Sequence, residues 1–149
     1  MLFARYGQGL LVLHERQTRF SMVQHPVDRK AVLTARTIAR QLGKLPQAMR
    51  KTISFDNGTE FAEHHRLHKA LSVQTFFCDP HSPWQKGGVE TCIGRLRRSL
   101  PRKTDLKFIT ATALKQLVQR LKNTPRKCLD FKTPAEAFSK LKSIVALQT

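Results

Sequence analysis

A chain of 149 residues holds one domain with a proper core and is too short to suggest two; with 40% hydrophobic residues it lies outside the compositional range of disorder. Its 27 Lys and Arg against 10 Asp and Glu give a formal charge of +17, so a compact body repels itself unless a polyanion neutralises it. Nucleic acid is therefore the expected partner, ahead of an acidic protein or simple solubilisation, and no apolar run approaches the roughly 18 residues of a membrane span.

The N-terminus "MLFARYGQGLLVLHER" lacks a signal-peptide layout, and three cysteines without framework spacing fit a reducing compartment, so a cytoplasmic protein without disulfides or membrane contact is expected. In chain order, "LLVL" at 10–13 and "SMVQH" read as two short strands joined by the polar "HERQTRF", a hairpin. Asp28 is placed to cap a helix over 30–42, where Val32, Ala35, Ala39 and Leu42 recur at helical spacing and Gly43 supplies the stop. "KTISF" is a strand that ends at Asp56, because Asn57 and Gly58 favour a turn. A helix over 60–71 and a strand "VQTFFCD" follow, then a proline-bearing loop over 79–84.

Val89, Ile93, Leu96 and Leu100 fall on one stripe, which predicts a helix over 88–99 ended by Pro101. Leu114, Leu117, Val118 and Leu121 mark another, ending near Asn123. "TPAEAFSKL" offers Thr133 as cap, a proline in the first turn and Glu136 at the capping-box position. Leu129, Phe131 and Phe138 are expected to pack back on the domain, with Arg126 and Lys127 turned to nucleic acid.

Glu90 lies off the apolar stripe and shares a face with Gly94 and Arg97, while Gly87 and Gly88 allow a tight turn and a close approach to a ligand. A first-turn glutamate is by itself an ordinary helix start. Asp56 changes that weighing: a strand-end carboxylate and a helix-start carboxylate on a basic surface suit a divalent cation held between protein carboxylates and phosphate oxygens. The cations of 95–107, beside these acids, read as phosphate contacts rather than a solvated face.

"FDNGTEF" at 55–61, "FFCDPHSPWQKGGVE" at 76–90, "RLRRSLPRKTDL" at 95–106 and "LKNTPRKCLDFKTPAEAF" at 121–138 together resemble the catalytic domain of IS30-family transposases, with "LHERQTRF" at 13–20 also similar. The resemblance implies an α/β, RNase H-like fold of the retroviral-integrase type, a mixed sheet flanked by helices with its first strand incomplete. It further implies two aspartates and a glutamate holding two Mg²⁺ (or Mn²⁺) ions for hydrolysis and strand transfer on double-stranded DNA, at transposon ends and target, in a nucleoid-associated bacterial protein. Asp56 matches the second acid and Glu90 the third, both as catalytic and metal-binding groups; Lys86, Arg95, Arg97, Arg98, Arg102, Lys103, Arg126 and Lys127 become DNA contacts. Residues 1–140 are expected to form the catalytic core and 141–149 a tail.

Two departures from the family pattern stand out. Its first acid, in a Gly-Asp-Leu-like motif, would precede Met1, so the chain is expected to be N-terminally truncated and inactive, Glu15 serving as a turn residue rather than a replacement. After Glu90, where the family tends to place Asn, Thr and Lys, stand Thr91, Cys92, Ile93 and Gly94. The alternative is a noncatalytic DNA-binding or interfering protein that associates with intact transposase or with its own copies. His64, His65, His68, Cys78, His81 and Cys92 lack four-ligand spacing, which argues against zinc; Trp84, Phe76 and Phe77 are assigned to the core ahead of base stacking.

Overall fold

The computed structural model describes residues 2–3, 9–24, 30–80 and 82–147, with the backbone alone at 2, 3 and 83. Strands β1 (Leu2–Phe3), β2 (Gly9–His14) and β3 (Ser21–Gln24) form an antiparallel sheet in that order. The register pairs Leu2 with Leu10 on one side of β2, and Val12 with Val23 and His14 with Ser21 on the other. Strands β4 (Thr52–Phe55) and β5 (Gln74–Phe77) run parallel, from Thr52 beside Gln74 to Phe55 beside Phe77. A parallel pair needs a crossover, supplied here by a 3₁₀ turn at Thr59–Phe61 and helix α2 (His65–Leu71). The other helices are α1 (Ala31–Leu42), α3 (Gly87–Ser99), α4 (Ala111–Asn123) and α5 (Pro134–Ala146).

Side chains alternate across a strand, and β2 is apolar on both faces. Leu10 and Val12 pack with Cys92, Leu96 and Leu100 of the α3 segment and with Leu106, Leu114 and Val118. Leu11 points the other way, into a cluster with Ile38, Leu42, Phe55, Phe61 and Leu67. The run "GLLVL" is continuous for this reason: a strand covered on both sides has no solvent face for polar residues.

The hairpin, the strand ending before Asp56 and the α3 stripe lie where the sequence puts them. Thr133 accepts from Glu136 N while Glu136 returns a bond to Thr133 N, the full capping box. Glu15 accepts from Gln17 N at 2.9 Å and Thr18 N at 2.5 Å, which makes it the organiser of the β2–β3 turn. The boundary drawn at residue 140 falls inside α5.

Several expectations need correction. Helix α1 buries Thr34, Ala35, Ile38 and Leu42, packs Ala39 partly against the same cluster and leaves Val32 exposed, so its buried stripe is centred on Ile38 rather than running through Val32. Gly43 ends α1 in a right-handed conformation, so it is no left-handed stop, and the proposed cap Asp28 lies outside the described residues, Lys30 occupying the cap position. The second helix begins at His65 rather than 60, because 59–61 form a 3₁₀ turn. Trp84, Phe76, Phe77 and Phe131 are exposed, at 76%, 51%, 40% and 71%, and so do not belong to the core; Phe138 does pack, stacked on Phe20 at 4.2 Å.

Leu96 is fully buried at the centre of the β2–α3 interface. Leu96→Ala is expected to cost about 2–5 kcal/mol, against less than about 0.5 kcal/mol for exposed Leu147→Ala, read from urea midpoints at unchanged slope.

Candidate active site and basic surface

Asp56 is the first residue beyond β4, half-buried where the parallel pair ends. The ends of the two strands are stitched together there. Cys78 N donates to Phe55 O at 2.8 Å, and Asn57 Nδ2 donates to Cys78 O at 3.1 Å. Gly58 follows because Glu60, itself buried, folds its carboxylate over it: a Cβ at 58 would lie 2.5 Å from Glu60 Oε2. Sequence reasoning passed over this second acid near Asp56, although burial of a glutamate could not be read from "GTEF" alone.

The loop after β5 is tied to itself before α3 begins. Gln85 accepts from Asp79 N at 2.9 Å and donates to Asp79 Oδ2 at 2.8 Å, and Pro83–Lys86 form a 3₁₀ turn that runs directly into α3 at Gly87. Glu90 is exposed in the first turn of α3. The paired glycines differ in purpose. A Cβ at Gly87 would meet nothing within 4 Å, whereas at Gly88 it would lie 3.1 Å from His14 Cδ2, 3.2 Å from His14 Nε2 and 3.3 Å from Arg19 Nη1. Gly88 thus lets the helix sit close against the end of β2.

The cations expected to contact DNA divide into two groups. Arg97 shares Glu90's face, and its pKa is drawn down by burial and then by Arg102, which places those two guanidiniums in one field. Arg98, Arg102 and Lys103 are exposed at the end of α3 and in the turn after it, and Lys127 is exposed beyond α4, while Lys86 is half-buried before α3. Arg95 and Arg126 instead line a cavity together with Arg19 and Lys122, two cations that sequence reasoning did not single out. Gly94 faces open space, so no packing role accounts for it.

His14, also missed, lines the same cavity. Its Nδ1 lies 2.8 Å from Ser21 Oγ, which lies 3.2 Å from Cys92 Sγ, and the hairpin register that makes His14 and Ser21 direct partners was the available signal. Burial, with Arg19 beside it, pushes the His14 pKa down to about 4. His64, by contrast, hydrogen-bonds Thr75 Oγ1 at 2.8 Å and sits edge-on to Phe77, and His81 lies outside the described residues.

The transposase of insertion sequence IS1086 from Cupriavidus metallidurans is 35% identical over 130 residues, 87% of this chain. The InsI transposase of IS30A from Escherichia coli is 34% identical over 127 residues, and that of IS4351 from Bacteroides fragilis 30% over 133. The chain is a relative of the IS30-family transposases. It spans 38%, 33% and 40% of those three proteins, so it corresponds to little more than a third of their length. No protein-family model matches this transposase relative. Its fold is that of a retroviral integrase catalytic core: the core domain of bovine immunodeficiency virus integrase superposes with a TM-score of 0.70, covering 96% of this chain and 93% of that one at 19% identity.

The donor chemistry suits a hard divalent ion in kind, since Asp56 and Glu90 offer carboxylate oxygens and Mg²⁺ commonly takes only one or two of these, filling its shell with water and phosphate oxygens. Among the described residues no three His, Cys, Asp or Glu side chains gather as a metal cluster. No described helix is long and apolar enough to cross a membrane.

The folded pKa of His14 lies below its ordinary 6.5, so the unfolded chain binds more protons between the two values. The stability linked to His14 is complete above about 6.5 and is lost as pH falls toward about 4. The urea midpoint of the wild-type chain is expected to drop more steeply over this window than that of His14→Gln.

Proposed function

We propose that this chain is the catalytic-core segment of an IS30-type transposase, that it binds double-stranded DNA through the cations beside α3, and that Asp56 and Glu90 are its acids. The observation that carries the reading is the position of the two carboxylates, one just past β4 and one in the first turn of α3, in a fold of the integrase type with transposase relatives across most of the chain. Exposed Arg98, Arg102 and Lys103, with Arg97 on the Glu90 face, supply phosphate contacts that position a duplex without reading its sequence.

A divalent ion held by Asp56 and Glu90 would supply Lewis-acid polarisation of a phosphodiester and a more acidic bound water. The chain's own residues orient the acids: the Asn57–Cys78 and Asp79–Gln85 bonds fix the two segments from which they project. Residues 1–8, "MLFARYGQ", contain no Asp or Glu, so β1, at Leu2–Phe3, adds no carboxylate to Asp56 and Glu90.

The test is DNA binding by the purified chain across a salt series, followed by incubation of labelled duplex with Mg²⁺ or Mn²⁺. Binding should weaken linearly on a log–log plot, and each of Arg98→Gln and Arg102→Gln should reduce the slope by about 0.9. No binding at about 50 mM salt would overturn the DNA reading. Cleavage or joining that Asp56→Ala and Glu90→Ala each abolish would overturn the inactivity while supporting the acids; cleavage indifferent to both would remove them from the site.

A further inference from the structure

A cavity of about 300 Å³ opens between the β2–β3 turn, the first two turns of α3 and the end of α4. We propose that it seats a phosphate group. Among the described residues four cations line it, Arg19, Arg95, Lys122 and Arg126, and no Asp or Glu does. The volume is at the small end of the roughly 300–1,000 Å³ of ligand pockets, enough for a phosphate with part of the molecule that carries it.

Arg126, Lys122 and Arg19 each have a contact beside the cavity. Arg126 donates to Leu121 O at 2.9 Å, an anchor to the last turn of α4. Lys122 is half-buried, its ammonium 4.4 Å from the centre of the Phe20 ring, and burial draws its pKa down. Arg19 adopts φ 60, a left-handed conformation that costs a non-glycine residue about 1–3 kcal/mol unless its surroundings impose it, and its guanidinium lies against Gly88.

Among the described residues, no carboxylate lines the cavity to balance this charge. Among the described residues the recorded ion pairs fall on Glu63, with His65 and Arg66, and Glu15, next to His14, spends its oxygens on Gln17 N and on the backbone and hydroxyl of Thr18. Cations brought to one cavity without a carboxylate among its described lining residues favour the entry of an anion. Phosphate matches in charge, and its oxygens accept paired bonds from guanidinium groups.

The site is separate from the acids. At 3.6 residues per turn, Thr91 and Arg95 face the cavity roughly a third of a turn around α3 from Glu90 and Arg97. The proposal therefore does not depend on Asp56 or Glu90, nor on a metal.

The experiment is thermal denaturation of the full chain, free of metal and DNA, in inorganic phosphate and in sodium chloride of equal ionic strength. Saturating phosphate is expected to raise the midpoint by about 5 °C beyond chloride, which corrects for general screening of the chain's charge. Arg95→Gln and Lys122→Gln should each weaken the apparent phosphate affinity about tenfold or more, Arg95→Lys less, and Lys69→Gln on α2 not at all. Circular dichroism at low temperature identifies any variant that fails to fold, and Arg95→Lys then carries the comparison. A short single-stranded oligonucleotide with and without a 5′-phosphate separates the two sources: greater protection by the phosphorylated form makes a DNA strand end the donor, and protection by inorganic phosphate alone makes it a free anion. Equal midpoints in phosphate and chloride, or equal losses in the Lys69 and Arg95 variants, would overturn the proposal.

Discussion

The molecule is organised around the burial of β2 on both faces. Leu10 and Val12 commit one side to α3 and α4, and Leu11 commits the other to α1, β4 and α2. Burying side chains of this size is worth about 1.5–3 kcal/mol each, and β2 is the one element with buried residues in both apolar clusters. The same strand then delivers His14 to its end, against Gly88. The start of α3, and with it Glu90, is positioned by a contact that begins as hydrophobic packing four residues earlier in β2.

Helix α3 is divided into three faces, and each has different physics. Val89, Cys92 and Leu96 face the core, exposed Glu90 and half-buried Arg97 lie on one flank, and Thr91 and Arg95 face the cavity on the other. A helix can carry so much only if the core face holds it rigidly, because charged groups on both flanks repel like charges elsewhere in a chain of +17. Leu96, fully buried, supplies that hold at mid-helix. Separation around one rigid helix also keeps the cavity cations from neutralising Glu90 directly.

Much of this was legible in the sequence because local rules and tertiary packing agree there. The α3 stripe, the Thr133–Glu136 capping box and the stop after Phe55 each follow from spacing or turn chemistry within a few residues. The aromatic residues were misread for the opposite reason. Phe76 and Phe77 satisfy every strand preference, but whether a strand face is buried depends on what lies over it, and in the described structure β5 has β4 as its only strand neighbour. The cavity was illegible because Arg19, Arg95 and Lys122 come from three distant segments, and only the His14–Ser21 pairing hinted that the hairpin end faces α3. The two acids were visible as residue types in favourable places, and the family resemblance, borne out by the transposase relatives, is what joined them.

The proposed acid pair is carried by two different sheets, and that decides what controls its separation. Asp56 rides on the β4–β5 ladder, whereas Glu90 rides on α3, which is packed on the antiparallel sheet; among the described residues no strand ladder joins the two sheets. Among the described residues, the contacts that tie the two parts together are the cluster shared by Leu11 and Phe55 and, along the connecting loop, the Asn57–Cys78 and Asp79–Gln85 bonds. Hydrophobic packing is close-fitting but yields by tenths of an ångström when volume changes, so an ion gripped by these acids would feel substitutions at Leu11 or Phe55 that touch neither carboxylate. On the proposed reading, the core of this chain is part of its metal site.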